Sequence, residues 1–156
     1  MKGALFLIKS SKKLINKVIY ENAAEYPWAK LKDFIVSKDG KYIEKVLIIS
    51  ESLIPVPYTV RLCDFVTISE KGAVLRPDVK PVICKIEKEN PYRFSNLKKY
   101  RFQKDGHRQK IFDVSFDTEA GEIIDFIIMP SPLGRKEFLS SGDTNFNELI
   151  TNYLKK

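Results

Sequence analysis

A chain of 156 residues suits one ordinary domain or two small ones, and at 44% hydrophobic and 12% aromatic it has material for a core, which excludes wholesale disorder. Twenty-seven Lys and Arg against 20 Asp and Glu leave a formal charge of +7, which suits RNA, DNA or an anionic membrane surface as partner and equally suits a surface of solvated lysines. Cys63 and Cys84 stand outside any C-x-x-C pair, as expected of a cytoplasmic protein with reduced thiols, and Cys63, in VRLCDFV, is expected to be buried.

The apolar run at 4–8 is shorter than a signal-peptide core, and nothing approaches the roughly 18 apolar residues of a membrane span. GALFLIKS reads as a first strand, and KKLINKVIY as strand or short helix. Leu31, Phe34 and Val36 then lead to Asp39-Gly40, and Tyr42, Val46 and Ile48 follow, which is the pattern of a β-hairpin. Pro55 and Pro57 cannot donate to a ladder, so 54–57 is expected at an edge or crossing. FVTISEKGAVLRP gives a second hairpin turning at 70–72 and stopping at Pro77. Prolines at 77, 81 and 91 punctuate a linker, within which VICKI can form a strand. A strand with a turn at Asp105-Gly106 precedes a third hairpin, KIFDVSFDTEAGEIIDFIIMP, and a loop with a short strand follows over 131–142. Finally, Asp143 and Thr144 are good N-caps, and Phe146, Leu149, Ile150, Tyr153 and Leu154 recur at helical spacing, so a helix is expected from Thr144 to Leu154.

The third hairpin repeats the first. KLKDFIVSKDGKYIEKVLIIS lies about 80 residues upstream of it; Asp33 matches Asp113, and allowing one inserted residue matches Gly40 to Gly121 and Ile43, Val46 and Leu47 to Ile124, Ile127 and Ile128. The stretch KIFDVSFDTEAGEIIDFII resembles the core signature of the PRC-barrel family, carried here by Ile111, Asp113, Val114, Phe116, Asp117, Gly121, Ile123 and the strand 125–129. VPYTVRLCDFVTISEKGAVL resembles the later part of that family's pattern, while the first copy has Ser37 in place of the second aspartate and lacks the usual preceding glycine near PWAK. As two tandem copies the likeness covers about two-thirds of the chain, and the chain resembles the small two-barrel PRC proteins of Gram-positive bacteria. It implies an all-β fold of two tandem small PRC-like β-barrels with a C-terminal helix, the first over 1–77, a linker over 78–89, and the second over 90–156. It also implies a role in macromolecular binding, as in the cytoplasmic part of the photosynthetic reaction-centre H subunit and the C-terminal, partner-binding half of a ribosome maturation factor. Asp33, Gly40, Asp113, Asp117 and Gly121 are then structural positions.

No catalytic, cofactor-binding or metal-binding residues are expected. The single histidine, His107, stands in KDGHRQ, and no nucleophile, base and orienting group converge in the sequence. Asp113 and Asp117, four apart on one strand, can share a face, but are expected to accept turn or backbone hydrogen bonds rather than act as an acid–base pair. The most suggestive stretch is YRFSNLKKYRFQKDGHRQK, whose Arg93, Lys98, Lys99, Arg101, Lys104, Arg108 and Lys110 stand against Asp105 alone, with Tyr92, Phe94, Tyr100 and Phe102 interleaved. Such a segment can track a phosphate backbone while bases stack on its rings, or it can be a strand with aromatics inside and lysines in water. The expected function is a non-enzymatic adaptor binding a protein partner through a barrel face. RNA binding through residues 93–110 is the alternative; an anionic membrane surface ranks behind both, and no small-molecule substrate is expected.

Overall fold

The computed structural model describes residues 8–21, 26–85, 87–99, 101–104, 107–129, 137–140 and 146. The described chain is mostly β. Strands β1 (Ile8–Ser10), β2 (Val18–Glu21), β3 (Ala29–Val36), β4 (Ile43–Ser50), β5 (Pro57–Val60), β6 (Phe65–Ser69), β7 (Gly72–Leu75) and β8 (Val82–Ile83) precede β9 (Arg101–Lys104), β10 (His107–Asp117), β11 (Ile123–Met129) and β12 (Glu137–Ser140). Two four-residue helices, α1 (Ser11–Leu14) and α2 (Phe94–Leu97), sit among them. KKLINKVIY thus divides: it is helical to Leu14, then Asn16 takes the left-handed conformation at φ +68, which asparagine tolerates, and the chain enters β2. Of the expected C-terminal helix only Phe146 is described, and its side chain is buried; the turn at Asp105-Gly106 and the chain before Ile8 lie outside the described residues.

A curled seven-stranded sheet runs β6-β7-β2-β3-β4-β5-β8. A second sheet runs β1-β10-β11-β12, with β9 also pairing β10. The expected hairpins at 31–48, 65–75 and 110–129 are all present, antiparallel throughout. Pro57 opens β5, where its missing N–H costs least, yet β5 itself is internal, flanked by β4 and β8.

The repeated hairpins match more closely than their sequences suggest. Each ladder shifts register at two places, between Leu31 and Asp33 and between Ile35 and Val36 in the first, between Ile111 and Asp113 and between Ser115 and Phe116 in the second. The pairs Asp33↔Leu47, Phe34↔Val46 and Val36↔Ile43 answer to Asp113↔Ile127, Val114↔Phe126 and Phe116↔Ile123. The spacing is therefore a constant 80 residues on both strands, with no insertion, and Ile43, Val46 and Leu47 correspond to Ile123, Phe126 and Ile127, one position earlier than the sequence match. Aligning the turn glycines caused that slip. Gly40 and Gly121 both have positive φ, at +74 and +76, but occupy adjacent positions in loops of equal length. The Gly40 N–H closes a tight turn onto the Ser37 carbonyl, whereas the Gly121 N–H closes a wider one onto the Asp117 carbonyl.

The two hairpins meet about a local two-fold. Tyr42 and Glu122, equivalent positions, form an antiparallel bridge, flanked by reciprocal bonds from Ile43 N–H to the Gly121 carbonyl and from Ile123 N–H to the Lys41 carbonyl, both 2.8 Å. Behind them lies one continuous core, in which Phe34 of β3 meets Phe116 of β10 edge to face at 5.2 Å. The helical arms are exchanged across this axis. β1 pairs β10 and leads α1 onto the second hairpin, whereas Arg93 bridges Ile35 of β3 and leads α2 onto the first. The strands after each arm stay at home, β2 on β3 and β9 on β10. The segment expected as a linker supplies β8 to the larger sheet.

Both turn glycines are constrained beyond their φ. A Cβ on Gly40 would fall 2.5 Å from Cγ of Phe146, and one on Gly121 would meet Leu62 at 3.2 Å and the Ile43 carbonyl at 3.3 Å. Gly121→Val is expected to cost about 1–3 kcal/mol in urea denaturation, and Gly40→Ala at least as much because the Phe146 ring must move. Unchanged midpoints for both would show that these turns are placed wrongly.

Candidate partner-binding surface

The signature aspartates are buried and fully engaged in the fold. At Asp33, Oδ1 accepts from Phe34 N–H at 2.8 Å and Ser95 N–H at 3.2 Å, while Oδ2 accepts from Arg93 Nε at 2.9 Å and from the Ser95 hydroxyl. At Asp113, Oδ1 accepts from Val114 N–H at 2.8 Å, Lys12 N–H at 3.1 Å and the Ser11 hydroxyl at 2.6 Å. Each carboxylate thus binds the next amide of its own bulged strand and an amide in the exchanged helical arm. Asp117 accepts turn N–H bonds from Glu119 and Ala120. Ser37 takes its place in the first hairpin, its hydroxyl accepting from Lys41 and Tyr42 N–H and donating to Asp39. That hydroxyl and the Lys41 N–H lower the Asp39 pKa, so the carboxylate's contribution is present above its unfolded-state pKa and is lost as pH falls through the lowered folded value.

Of the seven cations expected to form one surface, one is taken up by the fold. Arg93 is 8% exposed and paired to Asp33, so it balances a buried carboxylate and is no part of an exposed basic face. Lys98 and Lys99 are exposed just past α2. On the β9–β10 ladder Arg101 stands opposite Lys110, Gln103 opposite Arg108, and Lys104 opposite His107. Six of the seven therefore remain as candidates. Cys63 is also not where VRLCDFV suggests. It lies on a 3₁₀ turn, Leu62–Asp64, which buries Leu62 and leaves the thiol exposed. Cys84 is half-buried, and burial raises its pKa.

An apolar edge was missed by the sequence reading. Leu53 and Ile54, in the β4–β5 loop, are almost wholly exposed, and Val82 and Ile83 of β8 are about two-thirds exposed. Cys84 N–H donates to the Pro57 carbonyl, which brings β8 alongside the end of that loop. The one sequence signal is the VICKI run between prolines, which can form a strand and does so over Val82–Ile83. No family model matches the chain, and no curated protein matches it. Among the described residues no helix is long and apolar enough to cross a membrane.

Removing Asp33 should expose the cost of its partner. Asp33→Ala leaves the Arg93 guanidinium buried and unpaired and is expected to cost about 3–5 kcal/mol, whereas adding Arg93→Met should recover part of that loss. A double-mutant cycle by urea denaturation checks this; additive losses would mean that the pair does not interact.

Proposed function

We propose that this chain is a non-enzymatic adaptor that docks a protein partner through one face of a pair of PRC-like barrels. The observation that carries the reading is the exposure of four large apolar side chains, Leu53 and Ile54 in the β4–β5 loop and Val82 and Ile83 on edge strand β8, since exposed apolar surface is the usual mark of a partner site. The commitment of Asp33, Asp113 and Asp117 to donors of the fold supports a non-catalytic role, because their oxygens hold backbone and side-chain groups in place.

A second reading, RNA binding, is favoured by one observation: the ladder register sets Arg101 beside Lys110, with Lys98 and Lys99 exposed upstream. The two readings differ in salt dependence. Six phosphate contacts on a single strand give a slope of log K against log[salt] of about −4, at about −0.7 per contact, and Lys98→Ala, Lys99→Ala and Arg101→Ala together should halve it. The deciding experiment is a pull-down from host lysate at low and moderate salt, with and without nuclease. The adaptor reading expects a protein that persists after nuclease and moderate salt. Recovery of RNA alone, lost in the triple variant, would replace it with the second reading.

A further inference from the structure

We propose that β8 is the docking edge, to which the partner adds one extended strand that alternates apolar with acidic residues; this rests on the protein-partner reading. The backbone geometry comes first. β5 and β8 pair as Tyr58↔Ile83 and Thr59↔Val82, and Cys84 N–H donates to the Pro57 carbonyl at 3.0 Å. In an antiparallel ladder the inward-bonded residues alternate, so Val82 and Cys84 turn their backbone groups to β5 while Ile83 turns its N–H and C=O outward. Among the described residues no strand pairs with β8 on that side.

The side chains define the occupant. Val82 and Ile83 project to opposite faces of the edge and both are about two-thirds exposed, so the apolar side of an added strand finds contact on whichever face it takes. The stretch 79–85, VKPVICK, holds two lysines and no carboxylate. Lys45 lines both clefts beside this edge, one of about 500 Å³ with Thr59, Lys80 and Val82, the other of about 310 Å³ with Thr59, Cys84 and Lys85. Arg61 and Arg93 in those clefts are paired to Asp64 and Asp33, which leaves Lys45, Lys80 and Lys85 against Asp78 and Glu87. The lysines also discourage pairing with an identical edge, because they set like charges together. The same cations attract a strand that brings carboxylates.

The test uses the full chain and a fluorescein-labelled octapeptide alternating valine with glutamate, with a valine–lysine peptide as control. Binding is read by anisotropy, and the edge by amide hydrogen exchange. The expected result is binding of the glutamate peptide only, with slowed exchange at Ile83. Ile83→Pro, which removes the outward donor, should weaken binding about tenfold, as should Lys80→Glu with Lys85→Glu, at unchanged melting temperature. The lysine pair carries the test if Ile83→Pro does not fold. Equal binding of both peptides, protection elsewhere, or binding that survives the variants overturns the proposal. A wild-type dimer that Ile83→Pro turns into a monomer also overturns it, with a second copy as the occupant. In the lysate experiment, a nuclease-resistant partner retained by Ile83→Pro overturns the docking edge and leaves the adaptor reading standing. A wild-type chain that retains no partner after nuclease overturns both.

Discussion

Two buried carboxylates constrain the rest of this fold. A carboxylate removed from water must be surrounded by donors, and a bulged strand can offer it only one, the amide of the next residue. The remaining donors come from far away in sequence: Arg93 and Ser95 for Asp33, Ser11 and Lys12 for Asp113. That requirement brings residues about 60 and 100 apart into contact and sets which arm lies on which hairpin. Exchange of the arms follows, because the arm that satisfies each carboxylate belongs to the opposite half. The halves are then joined three times, through the arms, through the Tyr42–Glu122 bridge and through the common core of Phe34 and Phe116. Residue 77 is a reasonable boundary between repeats in sequence, but β1 and α1 cross it to pack on β10.

The polar pairs supply direction more than stability. Replacing a buried ion pair by apolar groups is often neutral, so the bulk of the stabilisation belongs to the side chains of the shared core. What the carboxylates exclude is the wrong pairing. An arm placed on its own hairpin would have to offer the same donors in the same places, and the two arms are chemically different: a serine hydroxyl and a lysine amide in one, an arginine and a serine in the other. The aligned leucines Leu14 and Leu97, both fully buried, provide the apolar contact that either arm makes.

The hairpins were legible in the sequence because their signals are local: alternation at period two, and a glycine where the turn requires positive φ. Asp33 and Asp113 were recognised as equivalent for the same reason. The exchange was not legible, since nothing in SSKKL or RFSNL says which hairpin it will cap. Arg93 was misplaced among the exposed cations because a basic run looks uniform until one member finds a buried partner. The one-residue slip at the turns shows the opposite hazard. Two glycines attract alignment, yet a loop of fixed length can place its left-handed residue at either of two neighbouring positions, and the bulges, not the glycines, kept the true register. Cys63 was misjudged because a 3₁₀ turn breaks the alternation that surrounding apolar residues imply.

The equivalence of the halves is confined to the positions near the two-fold axis. Core positions answer to two demands, packing and the two-fold contact, so Phe34 and Phe116 meet across the centre and Ile43 and Ile123 make two-fold-related bonds. Strands away from the axis answer to neither. The first half adds β6, β7 and β8 beyond the shared four-strand pattern and ends in an apolar edge. The second half keeps β9 to β12, and its β9–β10 ladder carries Arg101, Lys104, Arg108 and Lys110 where the first half has Val18, Glu21, Trp28 and Lys30. The exposed apolar edge lies on β8, a strand that the two-fold contact does not constrain.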